Sequence, residues 1–167
     1  MRKSLLRWQL MKKVVYLVGT LHKYQGCAPH TWRATKKQLE EFKDFLTQLI
    51  RRYDIRSIGE EMNSHELERY ANPDLPAGES VPFQVARELN LRHKYCDPYE
   101  ATRQRISDYD SDENTREVYW LKQLEDLDAF PCLFILGAAH DNTFLDRLKE
   151  SGFEAVLLSK DWAPTSS

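Results

Sequence analysis

Val14-Val15-Tyr16-Leu17-Val18-Gly19-Thr20-Leu21-His22 holds the strongest architectural signal in the chain. An unbroken apolar and aromatic run stops at a glycine, and a histidine follows three positions later. The arrangement returns in Cys132-Leu133-Phe134-Ile135-Leu136-Gly137-Ala138-Ala139-His140. A strand with one wet face alternates apolar and polar residues, whereas a strand covered on both faces is continuously apolar. Both stretches therefore read as buried parallel strands. Each ends at a glycine turn and lifts a histidine over the edge of one sheet.

Outward from the first run, residues 23–33 read as a loop, long for a strand-to-helix connection, with Gly26, Pro29 and His30. Residues 35–53 place Leu39, Phe42, Leu46, Leu49, Ile50 and Tyr53 at helical spacing, with charged residues on the other face. A short strand at 57–60 runs into Glu61. Residues 64–70 read as helical, 72–82 as a Pro/Gly-rich loop, 81–90 as helix. Residues 91–96 read as a third strand, interrupted by Arg92, His93 and Lys94. Pro98 is placed to start a helix through Arg105. The acidic stretch 107–114 reads as a solvated loop leading to a helix N-terminus, since EF-hand spacing is absent. The helix 113–128 shows Val118, Leu121, Leu124 and Leu127 as its buried stripe, which leaves Trp120 off it. After the strand 132–136, Asp141 or Asn142 can cap a helix that turns Phe144, Leu145 and Leu148 inward and stops at Gly152. Residues 153–158 form a last strand.

Strands alternating with helices predict an α/β fold: a single compact domain with a mainly parallel sheet flanked by helices. The domain spans 14–160, with an N-terminal extension at 1–13 and a flexible tail at 161–167.

With 41% hydrophobic and 30% charged residues and a formal net charge of -2, the chain reads as a soluble globular protein with no general affinity for nucleic acid or anionic lipid. No apolar run is long enough to span a membrane. Cys27, Cys96 and Cys132 are odd in number and lack CxxC spacing, so reduced thiols in a cytoplasmic protein are the simpler reading. Cys27, close to the first histidine, is a minor candidate nucleophile or ligand.

In an open parallel sheet all strand carboxyl ends share one edge, and ligands bind there. The edge collects His22, Glu60, Glu61, Asp97 and His140. Histidine is scarce here, five in 167 residues, so two at matching offsets from strand ends point to function. Glu60 and Glu61 are adjacent and point to opposite faces if both are still in the strand, so one of them suffices for the site. Two imidazoles with carboxylates suit hydrolysis. A divalent metal of the Mn, Co, Zn or Fe type could be held by His22, Glu60, Glu61 and His140 and would activate water. In a metal-free version, one histidine is the general base and a glutamate orients it. Arg116, beside Glu117, can bind a substrate carboxylate or steady an oxyanion; a solvent-facing arginine is the competing reading.

Gly-Thr-Leu-His at 19–22, Gly-Glu-Glu at 59–61, Thr-Arg-Glu at 115–117 and Gly-Ala-Ala-His at 137–140, in that order, resemble the TraB/ChaN/erythromycin-esterase-like superfamily, which includes the Tiki-type proteases. The resemblance covers roughly residues 14–158. It implies a compact α/β core, hydrolytic activity and, in the Tiki-type branch, metal dependence. By position it implies His22, Glu60, Glu61, Arg116 and His140 as site residues, the histidines and glutamates catalytic or metal-binding; Arg116, Glu117 and Asp97 are expected around the substrate. The chain is much shorter than most such proteins.

The expected function is a small hydrolase, divalent-metal-assisted, cleaving an ester or amide bond of a small molecule or peptide, with homo-oligomerisation left open. The alternative is a non-catalytic ligand-binding or signalling module on the same fold. A third reading is an adaptor using Trp8, Trp32 and Trp120.

Overall fold

The computed structural model describes residues 12–99 and 112–166. In chain order these form β1 (Val14–Thr20), α1 (His22–Gln25), a 3-10 turn (His30–Trp32), α2 (Lys36–Tyr53), β2 (Ser57–Glu60), α3 (Ser64–Tyr70), α4 (Val81–Glu88), β3 (Arg92–Tyr95), α5 (Asp112–Leu127), β4 (Cys132–Gly137), a second 3-10 turn (Ala138–His140), α6 (Asp141–Glu150) and β5 (Glu154–Trp162). The strands make one sheet in the order β3-β2-β4-β1-β5. Every pairing is parallel. The fold is thus the α/β sheet that the two apolar runs predicted. They sit side by side near its centre, with Val15 opposite Cys132 and Thr20 opposite Gly137.

Neighbouring side chains on a strand point to opposite faces, and each face has its own core. On one, Val18, Ile58, Leu133 and Ile135 pack against Leu39, Phe42, Leu46, Val81 and Val85 of α2 and α4. On the other, Val15, Leu17, Phe134 and Leu136 pack against Trp120 and Leu124 of α5 and Phe144 and Leu148 of α6. That double covering is why the runs are apolar without alternation. Helix α2 starts at a capping box: the Gln38 N–H donates to Thr35 Oγ1 at 3.3 Å, and the Thr35 N–H donates to Gln38 Oε1 at 3.0 Å.

Several expectations need correction. The 23–33 segment is not plain loop: α1 begins at His22 itself, and a 3-10 turn follows. Gly19 and Gly137 lie inside their strands rather than in turns. A Cβ on Gly19 would stand 2.2 Å from the Lys160 carbonyl oxygen, so the glycine there serves close strand contact across an irregular β1–β5 register. On α5 the buried stripe is Trp120, Leu124 and Leu127, while Val118 is 50% exposed. The indole wins the core because it fills the space against Phe134 and Phe144, at centroid distances of 5.8 and 5.3 Å. That burial removes Trp120 from any adaptor surface; Trp8 lies outside the described residues, as do 1–11 of the extension and the 100–111 part of the expected helix and acidic stretch. Asp141 does not cap α6 from outside but sits in its first turn. The final strand continues past 158 to Trp162, whose ring packs on Tyr24, Phe42 and Phe45. The expected loose tail is tied down as well: Glu41 Oε2 accepts from the Thr165 N–H at 2.9 Å. Among the described residues no helix is long and apolar enough to cross a membrane.

Replacing Phe134 with alanine should cost about 3–5 kcal/mol, because the ring is fully buried between Trp120 and Phe144. Urea unfolding should show the loss as a lower midpoint with an unchanged slope.

Candidate functional site

β1 and β4 are neighbours whose chains leave in opposite directions across the sheet, toward β2 and toward β5. That makes the gap between their carboxyl ends a topological switch point, where open α/β sheets bind ligands. His22 follows β1 and His140 follows β4, so both reach the same gap. Glu61 enters from β2, its N–H continuing the ladder to the Ile135 carbonyl at 2.8 Å.

The Glu61 carboxylate is the meeting point. His22 Nε2 lies 3.7 Å from its Oε1 and His140 Nε2 lies 3.9 Å from the same oxygen. Arg116 Nη2 donates to Oε1 as well, and the Gly137 N–H donates to Oε2 at 2.6 Å. A Cβ on Gly137 would stand 3.2 Å from Oε2 and 3.3 Å from His22 Nε2, so a side chain there would press on this convergence and both groups would have to give by a few tenths of an ångström. Asp97 holds Arg116 from the other side: its Oδ1 accepts from Arg116 Nε at 3.0 Å and from Trp120 Nε1 at 2.9 Å. Burial works against the guanidinium charge, but Glu61 and Asp97 outweigh it and hold the Arg116 pKa above its ordinary value.

Each imidazole is held from behind through Nδ1. His140 Nδ1 faces Glu117 Oε1 at 3.2 Å, and Glu117 also accepts from Thr143 Oγ1 and, at 3.2 Å, from Arg147 Nε. The bond to Glu117 pushes the His140 pKa up, against burial and with help from Glu61. Burial opposes ionisation of Glu117, but the bonds from His140, Thr143 and Arg147 keep its pKa below the usual carboxylate range. His22 Nδ1 faces Gln25 Oε1 at 2.9 Å, and Gln25 Nε2 donates to Glu60 Oε2 at 3.2 Å.

Glu60 and Glu61 thus divide as adjacent strand residues must. Glu60 is fully buried on the α4 face, where Ser80 Oγ donates to its Oε1 and His93 Nε2 lies 2.7 Å from the same atom. Its place as a direct catalytic group or metal ligand beside the two histidines is corrected: it stands behind His22. Glu117, expected near substrate, is buried behind His140. Sequence reasoning missed Gln25, Ser80 and His93. Nothing local marked them: His93 meets Phe83 and Tyr95 only across the fold, and Gln25 could be found only by knowing that His22 begins a helix.

A cleft of ≈ 450 Å³ opens over the site, lined on its polar side by His22, Glu61, Asp97 and Arg116 and on its apolar side by Ala28, Pro29, Trp32, Met62 and Tyr70. His22 keeps 41% of its side chain exposed to it, while His140 is 9% exposed and lies beneath. Cys27 also lines the cleft, but burial, with Glu66 and Glu60 nearby, pushes its thiol up to about 12. Such a thiol is protonated at neutral pH and is no nucleophile.

The donors do not fit a resident divalent cation. Glu61 Oε1, the carboxylate oxygen nearest both imidazoles, is already bonded to a guanidinium. Among the described residues no group of three or more His, Cys, Asp or Glu side chains is arranged to hold a metal ion. No family model, curated protein or solved structure matches the chain.

Because folded His140 keeps its proton to higher pH than the unfolded residue, that stabilisation is whole below the ordinary histidine value of 6.5 and fades as pH rises through the raised folded value. Glu117 contributes in the opposite sense: its share is present above its ordinary value and is lost as pH falls through the lowered one. An NMR titration of the His140 ring should give a midpoint above 6.5 in the folded protein, and Glu117→Gln should bring it down.

Proposed function

We propose that the protein hydrolyses an ester or amide bond of a small substrate with an apolar acyl group, by general base catalysis and without a resident metal. The observation that carries this reading is the pair of imidazoles turned, Nε2 first, onto one buried carboxylate under an open cleft. Neither ring bonds Glu61 directly at these distances, so one water can lie within about 2.8 Å of both His22 Nε2 and Glu61 Oε1.

His22 Nδ1 donates to a neutral amide oxygen, which leaves Nε2 as an acceptor facing the cleft. In the reaction, Nε2 takes a proton from this water as the water oxygen bonds to the carbonyl carbon. The carbonyl oxygen gains negative charge, and the Arg116 guanidinium on the cleft wall stabilises it. The tetrahedral centre then collapses, the bond to the leaving oxygen or nitrogen breaks, and the proton on Nε2 passes to that atom. His140, biased toward imidazolium, offsets the buried charge of Glu61. The apolar wall of Trp32, Met62 and Tyr70 suits the acyl portion. The motif order resembling the TraB/ChaN/erythromycin-esterase-like superfamily supports the same reaction class. Three free, buried cysteines suit a cytoplasmic setting.

The test is turnover of a series of p-nitrophenyl esters and anilides of rising acyl length, before and after dialysis against a chelator. Activity should favour longer or aromatic acyl groups and survive chelation. His22→Ala should lower kcat by about 10²–10⁴-fold while the melting temperature stays nearly unchanged. Binding of the same compounds without turnover would favour the ligand-binding module, and activity restored only by added Mn²⁺ or Zn²⁺ would return the metal-assisted version.

A further inference from the structure

Behind His22 runs a chain of buried polar groups that takes no direct part in the reaction above. Gln25, Glu60 and Ser80 are fully buried, and the His93 side chain is 8% exposed. The donors in this chain can be assigned by elimination. The Ser80 oxygen accepts the Phe83 N–H at 3.1 Å at the start of α4, and its own proton goes to Glu60 Oε1. A carboxylate only accepts, so His93 Nε2, 2.7 Å from the same oxygen, is its donor. Glu60 Oε2 accepts from the Gln25 amide nitrogen. The carboxylate therefore has three donors and nothing to give.

This has a consequence two bonds away. The Gln25 amide has two orientations. Reversing it would set its oxygen against Glu60 Oε2, acceptor against acceptor in a buried place. The charge on Glu60 therefore holds Gln25 Nε2 toward itself and Gln25 Oε1 toward His22. An oxygen facing Nδ1 at 2.9 Å demands the proton on Nδ1. We propose that Glu60 and Gln25 are a tautomer relay: positioning residues that place the His22 proton on Nδ1 and leave Nε2 bare toward the cleft. The tautomer assignment stands on hydrogen-bond chemistry alone; only its effect on turnover rests on the hydrolase reading.

The relay predicts an inversion. In Glu60→Gln, Ser80 and His93 both still donate, so they keep the carbonyl oxygen of the new amide. Its NH₂ then faces Gln25, which must turn its own oxygen to meet it. The Gln25 NH₂ now faces His22 Nδ1, and the His22 proton moves to Nε2. Restoring an acceptor at position 25 should undo this. In the double variant Glu60→Gln with Gln25→Glu, the amide at 60 donates to the carboxylate at 25, which again accepts from Nδ1–H.

Long-range ¹H–¹⁵N correlation of the histidine rings reads the tautomer directly, with His140, held by Glu117, as the internal reference for a folded site. Expected are Nδ1–H for His22 in the unaltered protein, Nε2–H in Glu60→Gln, and Nδ1–H again in the double variant. Ester turnover should fall by about 10²–10⁴-fold in the single variant, as for other misassigned catalytic imidazoles, and recover in the double. Should Glu60→Gln fail to fold, Gln25→Leu leaves Glu60 with Ser80 and His93 and should release His22 from Nδ1–H. Nδ1–H persisting in Glu60→Gln or in Gln25→Leu would overturn the relay. Tautomer inversion without turnover in any form of the protein would uphold the relay and sink the hydrolase reading.

Discussion

The Glu61 carboxylate is the constraint on which the rest depends. It is 3% exposed and needs compensation, since an ionised group removed from water and left unpaired costs several kcal/mol. The compensation comes from distant parts of the chain. Gly137 supplies its N–H from β4, Arg116 its guanidinium from α5, and both imidazoles stand just beyond bonding distance. Each donor has a backer: Asp97 holds Arg116, and Trp120 of the core donates to Asp97. The core of one sheet face is in this way continuous with the polar floor of the cleft. A packing error at Trp120 would reach Glu61 through only two intervening side chains.

The strand period turns one Glu-Glu pair into two different environments. Glu60 shares its face with Ile58 and with His93 and Tyr95 of β3, and it looks away from the cleft into a closed set of donors. Glu61, one residue on, turns to the switch point between β1 and β4. The imidazoles differ in parallel fashion. His140 has a carboxylate behind it and is biased toward its charged form, whereas His22 has a neutral amide behind it and the cleft before it. Two like side chains on one sheet edge thereby come to sit in different settings, a buried imidazole backed by a carboxylate and a half-exposed one backed by an amide, a difference set by their second neighbours.

Much of this was legible in the linear chain, for identifiable reasons. The runs 14–18 and 132–136 are apolar without alternation because both their faces are covered, and that signal needs no partner to be read. Helix α2 and strand β2 were recognisable because periodicity and breakers are local. His22, His140, Glu61, Asp97 and Arg116 were recognised as site candidates from strand ends and motif order. Trp120 was misread because its place is decided by Phe134 and Phe144, and Val118 was misread for the same reason. The length of β5 was hidden because Ser159, Lys160 and Asp161 look like strand exit. Pairing with β1 and the seat of Trp162 among Phe42 and Phe45 extend it all the same.

Local pattern was enough for the α/β class, the burial of the two central strands and the set of chemical groups delivered to one edge. These follow from local pattern and from the chain direction of parallel strands. Which glutamate meets the histidines, what stands behind each imidazole and how closely Gly137 approaches Glu61 and His22 emerge only in the folded chain. Those outcomes depend on strand order and register, which set distances between residues dozens of positions apart, and no local periodicity encodes a distance of that kind.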